Sequence, residues 1–435
     1  MAETRTNAAR LTGLLGRSVL LEKGEAKPLL LSGLYFFLLL LSYYLLRPTR
    51  EAFGVARGAD SLPWLMTGTL LAMLLVNPAF AILVSRLPRR RFIPAAYRFF
   101  EVNAILFALA LVLFPAAGLW LGYAFYIWLS VFNLFVVSVF WAFMADGFSE
   151  TQGKRLFGMI ALGGTLGAIA GAWLAGALSM GLQAWIGRPR FGPPTLILLS
   201  AVVLEGAVKC VQRLADSFGM GHDAGGAREP GPGPLEGLRR LGVSPYLRLI
   251  AAYLLLFTIA STLLYLTQGK IVAAAFKDQA SRTAAFARLD LWTNLLTLAV
   301  QLFFTGRLIR SAGIPAILLV LPTLTLVGFT ALAVWPVFAT LAAVQVARRG
   351  VHYALDRPAR EILYIPLEAD DRYKAKPFID TFIYRGGDLL GVWMPTALGF
   401  LGIAAAPAAL GVSALWLGNG AWLGRLVGRV MGKEK

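Results

Sequence analysis

The chain is 435 residues long, 58% hydrophobic and only 15% charged, with mean hydropathy +0.68, against about 25% charged residues in ordinary soluble domains. That composition excludes an ordinary soluble enzyme and makes lipid the main solvent. The formal net charge of +18 would suggest a nucleic-acid partner in a soluble chain, but the basic residues gather in short segments between apolar runs, as in cytoplasmic loops facing anionic lipid; no nucleic-acid partner is expected.

Residues 1–27 are polar and basic, without the apolar core and small-residue cleavage site of a signal peptide. They read as a cytoplasmic segment, in which Leu11 to Leu21 is amphipathic enough to lie on the inner membrane surface. A spanning helix needs about 20 apolar residues. In chain order the runs are Pro28 to Leu46, Trp64 to Leu87, Phe92 to Leu113, Trp120 to Met144, Leu156 to Met180 and Pro194 to Val211. After a polar gap come Leu249 to Leu266, Leu289 to Phe304, Ile314 to Ala333, Trp335 to Tyr353, Phe378 to Leu401 and Pro407 to Val427.

The expected fold is therefore an all-α integral membrane protein of twelve transmembrane helices. Sorting the basic residues onto alternate sides puts 26 on the side of the termini and nine on the other, so both termini are expected in the cytoplasm. The gap at 212–242, rich in Gly and Pro, is expected to be a flexible cytoplasmic linker. It divides a six-helix half at 28–211 from a second at 243–427, with a cytoplasmic tail at 428–435. Six plus six is the layout of major-facilitator-type transporters, whose halves are parallel repeats.

Charges at membrane depth need a partner or a function. At the end of span one Arg47, Arg50 and Glu51 flank Pro48, placed to bind a ligand or to snorkel to the interface. Span three carries Arg98 and Glu101, three apart, which reads as a local ion pair with Glu101 as a protonation site. Asp146 closes span four, and Lys154 with Arg155 precedes a span five in which Gly163, Gly167 and Gly171 stand four apart, a stripe for close helix packing. Gly387 and Gly391 form a shorter version in span eleven.

The densest constellation follows span ten: Arg348, Arg349, His352, Asp356, Arg357, Arg360 and Glu361, then Asp380, Arg385 and Asp388. Helical steps of three and four would make Arg349, His352, Asp356 and Arg360 neighbours. Such a run lines a water-filled cavity or forms the ion-pair lock that closes one. The deep charges are more basic than acidic, so an anionic substrate is expected, gripped by guanidinium groups. With Cys210 the sole cysteine and His222 and His352 isolated, neither a disulfide, a metal site nor a cofactor is expected. No phosphate-cradling Gly-Lys-Ser/Thr loop is present, which argues against ATP-driven pumping.

At these charged segments the sequence resembles the nucleotide transporters, or ATP/ADP translocases, of plastids and intracellular bacteria. The run Tyr43 to Glu51 is similar to the family's Tyr-x-x-Leu-Arg-x-x-Lys-Asp, with Arg50 for Lys and Glu51 for Asp. Phe140, Trp141, Asp146 and the run Gly153 to Phe157 resemble the fourth-span motif, with Ala145 where Asn is usual. Asp356 to Leu367 is similar to Asp-Pro-x-Lys-Glu-Met-x-Tyr-Ile-Pro-Leu, and Lys374 to Asp380 and Arg385 to Gly387 continue the match. In span seven the family has an acidic residue four before a Lys, where this chain has Leu266 before Lys270.

The resemblance implies a divergent member within the major facilitator superfamily, with Arg50, Asp146 and Arg360 at charged substrate-site positions. The resulting expectation is a monomeric secondary active transporter in a bacterial inner membrane, not an enzyme. It would carry a small anionic metabolite, such as a nucleotide or another phosphorylated compound, by exchange or proton coupling. Substrate contacts are assigned to Arg47, Arg50, Asp146, Lys270, Arg357, Arg360 and Arg385. Gating or proton coupling is assigned to Glu51, Glu101, Lys154, Asp356, Glu361, Asp380 and Asp388. The alternative is a membrane enzyme or lipid-handling protein acting on anionic headgroups, with His352 beside Asp356 as its nearest approach to a reactive pair.

Overall fold

The structure, a computed structural model, describes residues 22, 24–86, 89–186, 192–220, 234–368, 375–402 and 404–432. The amphipathic stretch Leu11 to Leu21 and linker residues 221–233 lie outside the described residues. Apart from one isolated bridge between Ala56 and Gly58, the regular structure among the described residues is helical.

The principal helices are α1 (Ala26–Gly54), α2 (Leu62–Arg86), α3 (Arg89–Leu113), α4 (Gly118–Gly147), α5 (Glu150–Ile186) and α6 (Gly192–Phe218). Within the stretch expected as linker, α6 continues to Phe218 and a short helix forms at Pro234–Val243. Then follow α7 (Pro245–Ala275), α8 (Gln279–Phe303) and α9 (Thr305–Val334). Helix α10 comprises Phe338–Val351, a π-helical turn at His352–Asp356, and Arg357–Ile362. Helix α11 runs from 375 to 400 through a second π-helical turn at Ile379–Ile383, and α12 is Ala405–Gly432.

Eight helices among the described residues are long and apolar enough to cross a membrane by length and composition, and they lie in α1 to α7 and α9. Helices α8, α10, α11 and α12 stand where the eighth, tenth, eleventh and twelfth spans are expected, and charged residues and glycines dilute their apolar runs.

The chain divides into two compact units, one of residues 1–51 and 72–227, the other of 52–71 and 228–435. In the first, the glycine stripe of α5 lies directly on α1. A Cβ on Gly163 would sit 2.4 Å from the Gly33 carbonyl oxygen, and one on Gly167 would sit 2.1 Å from that of Phe37. Only hydrogen fits where two backbones meet this closely. Buried polar pairs fix the register of the neighbouring helices. Ser42 on α1 and Ser200 on α6 bring their hydroxyl oxygens to 2.8 Å, where each can donate its single proton to the other's hydroxyl or carbonyl. Tyr35 and Tyr97 meet at 2.5 Å between α1 and α3.

The second unit uses the same device. The Gly387 and Gly391 positions of α11 pack on α7, where added Cβ atoms would meet Thr258 Oγ1 at 1.8 Å and Thr262 Cβ at 2.9 Å. Helix α7 begins with Ser244 capping the Leu247 N–H behind Pro245 at the first turn. Helix α8 begins with Asp278, which accepts from the Ser281 N–H and hydroxyl. Residues 52–71 are held in this unit by Arg282, whose guanidinium donates to the carbonyls of Val55 and Ala56. The chain turns there through Gly58 at φ 94°. Helix α9 is broken at Gly313, with φ 73° and ψ 164°, two residues before Pro315, so its apolar length begins at Ile314, where the sequence placed it.

Candidate functional site

In the second unit part of the charged run of α10 gathers around one carboxylate, that of Asp356. The π-helical turn inserts an extra residue into the helix, and it carries both His352 and Asp356. Asp356 is 1% exposed and fully engaged. Its Oδ1 accepts from the Tyr253 hydroxyl at 2.8 Å, while Oδ2 accepts from His352 Nδ1 and pairs with Arg360 Nε, both at 3.1 Å. With Nδ1 donating, His352 is assigned the Nδ1–H tautomer.

Phe257 on α7 is the platform of this cluster. The His352 ring stacks on it at 4.5 Å, and the guanidinium groups of Arg360 and Arg348 lie 5.1 Å and 5.5 Å from its centroid, within cation–π range. Arg348 is buried, donates from Nε to Thr325 Oγ1 at 3.0 Å, and also donates to Ser261 Oγ.

Arg349 turns the other way and binds Asp290 of α8 at 2.8 Å. It therefore does not join the His352, Asp356 and Arg360 group that helical spacing assigned it to. Three- and four-residue steps describe a uniform α-helix, whereas α10 changes pitch at His352.

A cavity of about 350 Å³ opens beside this cluster, lined by His352, Arg357, Arg360, Glu361, Asp380 and the tyrosines Tyr253, Tyr353, Tyr364 and Tyr384, among others. Arg357 is exposed on it and makes no ion pair among the described residues. Glu361 pairs with Lys376, whose ammonium also lies over the Tyr364 ring. Arg385 pairs with Asp388 at 3.4 Å, and Asp388 accepts from Thr262. The cavity wall thus offers the guanidinium groups of Arg357 and Arg360 and several aromatic faces, beside two carboxylates of which Glu361 is committed to Lys376. Such a surface suits an anion that also presents a flat apolar face.

Lys270 lies elsewhere in this unit, about 20 Å along α7 from Phe257 at 1.5 Å per residue. It lines a separate apolar cavity of about 210 Å³ with Leu266, Phe329 and Leu332, among others.

In the first unit, Arg50 donates to Ser130 Oγ at 3.0 Å, pairs with the buried Glu51, and lies over the Tyr126 ring at 4.8 Å. Arg47 lies over Tyr44 at 5.5 Å. Helix α1 continues through Pro48 to Gly54, so the proline leaves Arg47 and Arg50 on one helix. Asp146 is exposed in the last turn of α4. The Lys154 side chain lies outside the described residues.

Its neighbour Arg155 pairs with Glu22 at 3.0 Å and Glu25 at 2.9 Å. The Glu25 carboxyl is held below the usual range, chiefly by the Glu22 N–H and, against a burial cost, by Gln152 and Arg155. Arg98 does not pair with Glu101 along α3. It forks onto Glu205 of α6 at 3.0 and 3.2 Å instead.

Phe257, Tyr253 and Asp290 were not singled out from the sequence. Asp290 carried a legible signal, a carboxylate inside an apolar run. Phe257 and Tyr253 carried none, since aromatic residues on a spanning helix are ordinary.

No protein-family model matches the chain. It is 23% identical to ADP,ATP carrier protein 1 of Chlamydia trachomatis, over 92% of this chain and 89% of that protein. It is 24% identical to ADP,ATP carrier protein 2, chloroplastic, of Arabidopsis thaliana, over 85% and 69%. Among solved structures, a nucleoside transporter superposes with TM-score 0.61 at 12% identity, covering 93% of this chain and 99% of that one. A peptide transporter of the POT family superposes with TM-score 0.59 at 13% identity, covering 93% and 97%. The resemblance carried by the motifs is borne out by these relatives, and the fold is that of an all-α, multi-pass membrane transporter.

Proposed function

We propose that this chain is a secondary transporter that carries a nucleotide, or a closely related phosphorylated anion, across the membrane by alternating access. The observation that carries the reading is the cavity bearing Arg357 and Arg360. It is rimmed by tyrosine rings and built by the same stretch, Asp356 to Leu367, that resembles the translocase motif. Guanidinium groups grip phosphate bidentately, and aromatic faces accept a base. The relatives' names, ADP,ATP carriers, support the same substrate class.

In this reading Arg357, Arg360 and Arg385 bind substrate in the second unit, and Arg47, Arg50 and Asp146 in the first. Lys270 receives the anion at the far end of α7. Glu51, Lys154, Asp356, Glu361, Asp380 and Asp388 balance or gate these cations. The chain acts as a monomer in a bacterial inner membrane with both termini cytoplasmic, six spans at 28–211 and 243–427, and a linker at 212–242. It catalyses no covalent reaction.

The test is counterflow in proteoliposomes preloaded with mixed metabolites, with labelled ATP, ADP, sugar phosphates and dicarboxylates offered outside in parallel. One label accumulates, and Arg360→Ala and Arg357→Ala weaken its apparent affinity by roughly 10- to 150-fold, the equivalent of a charged hydrogen bond of about 1.5–3 kcal/mol. No accumulation by folded protein, or product formation in detergent without compartments, would overturn the reading.

A further inference from the structure

Helices α3 and α6 pack against each other in the first unit, and their shared outer edge carries a polar stripe. At the end bearing the basic residues, Arg90 pairs with Asp216. Along α6, Arg213, Lys209 and Glu205 recur every four residues, so they share one face, and the first two are exposed. The stripe reaches Arg98, whose guanidinium holds both oxygens of Glu205, and ends at Glu101. Beyond that point the exposed positions are apolar: Val102, Ile105 and Leu109 on α3, Val202 and Leu198 on α6. Glu205 lies eleven residues from Asp216 along α6, or about 16 Å into the bundle.

The Glu101 carboxyl differs from every other group on the stripe. It is 9% exposed, and its Oε1 is buried with no hydrogen-bond partner. It lies within hydrogen-bonding reach of the Glu205 carboxyl. Two carboxylates this close cannot both ionise in a medium of low dielectric, and one of them holds a proton. Glu205 already accepts two N–H bonds from Arg98 and is the ionised partner, so Glu101 is the acid and donates to it. The charged groups facing this acid are Arg98 on its own helix and Glu205, with Lys209 behind it, on α6. Helix α4 packs its Trp128 and Phe132 rings against Phe100 and brings no charged side chain before Asp146.

A structural ion pair would need only Arg98 and Glu205. The second, buried carboxyl at the closed end of a one-ended polar stripe has no packing role that an apolar side chain would not fill better. We propose that Glu101 carries a proton for coupling, loading and releasing it through the stripe, with Glu205 and Arg98 as the groups that set its charge. When Glu101 gives its proton to water, two carboxylates face one guanidinium. When it takes one up, the balanced acid, carboxylate and guanidinium set returns. The coupling rests on the transport reading above; the bound proton does not.

The test uses the full chain in proteoliposomes, comparing wild type with Glu101→Gln, whose amide keeps the neutral donor. Infrared difference spectra are expected to show a protonated carboxyl band at neutral pH that is absent from Glu101→Gln. In counterflow, an imposed pH gradient changes the wild-type rate, while Glu101→Gln exchanges label without responding. Absence of the band, or an equal gradient response in the variant, would overturn the proposal. A bound proton with no flux of any labelled anion would sink the transport reading, and with it the coupling, while leaving Glu101 established as an acid.

Discussion

Asp356→Asn is the most informative single substitution in the second unit. The asparagine keeps the shape and one carbonyl oxygen for the Tyr253 hydroxyl, but removes the negative charge that holds His352 and Arg360 at 3.1 Å. Breaking one side of a buried ion pair costs about 3–5 kcal/mol, because the remaining charge stays buried and unpaired. Arg360 is only 16% exposed and Asp356 only 1%, so little solvent screening reduces that cost. For a cooperative unit of about 200 residues, 1 kcal/mol shifts Tm by roughly 2–4 °C, so Tm in detergent falls by at least about 6 °C.

The double variant Asp356→Asn with Arg360→Met removes both charges and leaves an apolar side chain over Phe257. It should recover most of the loss, with an interaction term of about 1–3 kcal/mol. A double variant as unstable as the sum of its parts would show that the pair is not what orders this turn. An unchanged Tm in Asp356→Asn would show that the carboxylate is solvated in the folded protein.

Gly167→Ala forces a Cβ to within 2.1 Å of the Phe37 carbonyl oxygen, so α1 and α5 must separate. Folded yield and Tm should drop sharply, whereas Gly158→Ala, with nothing within 4 Å, should be neutral or slightly stabilising. Glu25 has a lowered folded pKa, so its contribution to stability is present above the unfolded value of about 4.3 and is lost as pH falls through the folded value. Acidifying below about pH 4 should therefore remove a component of wild-type stability that Glu25→Gln already lacks, read as converging Tm curves at low pH.

What the sequence made legible was whatever depends on one-dimensional pattern. Apolar length marked the spans, and the four-residue glycine spacing marked α5 as a close-packing helix, which the structure sets against α1. The apolar run beginning at Ile314 agrees with the break of α9 at Gly313. Contacts between helices were not legible in this way. Arg98 had an acid three residues away on its own helix and took one on α6 instead, and Arg349 took Asp290 rather than Asp356. Local spacing limits which side chains can meet, but only packing decides which do. The π-helical turns at His352–Asp356 and Ile379–Ile383 also escaped the pattern, since no residue type forces them.

The two units share a packing rule and differ in chemistry. Gly163 and Gly167 bring α5 onto α1, and Gly387 and Gly391 bring α11 onto α7, at corresponding places in each set of six helices. Close backbone approach is a requirement of any helix pair that must hold together in lipid without a hydrophobic driving force, so it recurs. The buried charges do not recur. The second unit keeps Asp290, Arg348 and Asp356 inside, with Arg348 and the Asp356 partner His352 both on the Phe257 ring, while the first keeps Glu25, Glu51 and Glu101. A buried charge costs stability wherever it stands, so an arrangement that packing does not require is retained for what it does. By that argument the cationic face beside Phe257 and the acid at the end of the α3 and α6 stripe are two separate devices. Variants at Arg360 should change which anion is held, and variants at Glu101 should change how its movement responds to protons.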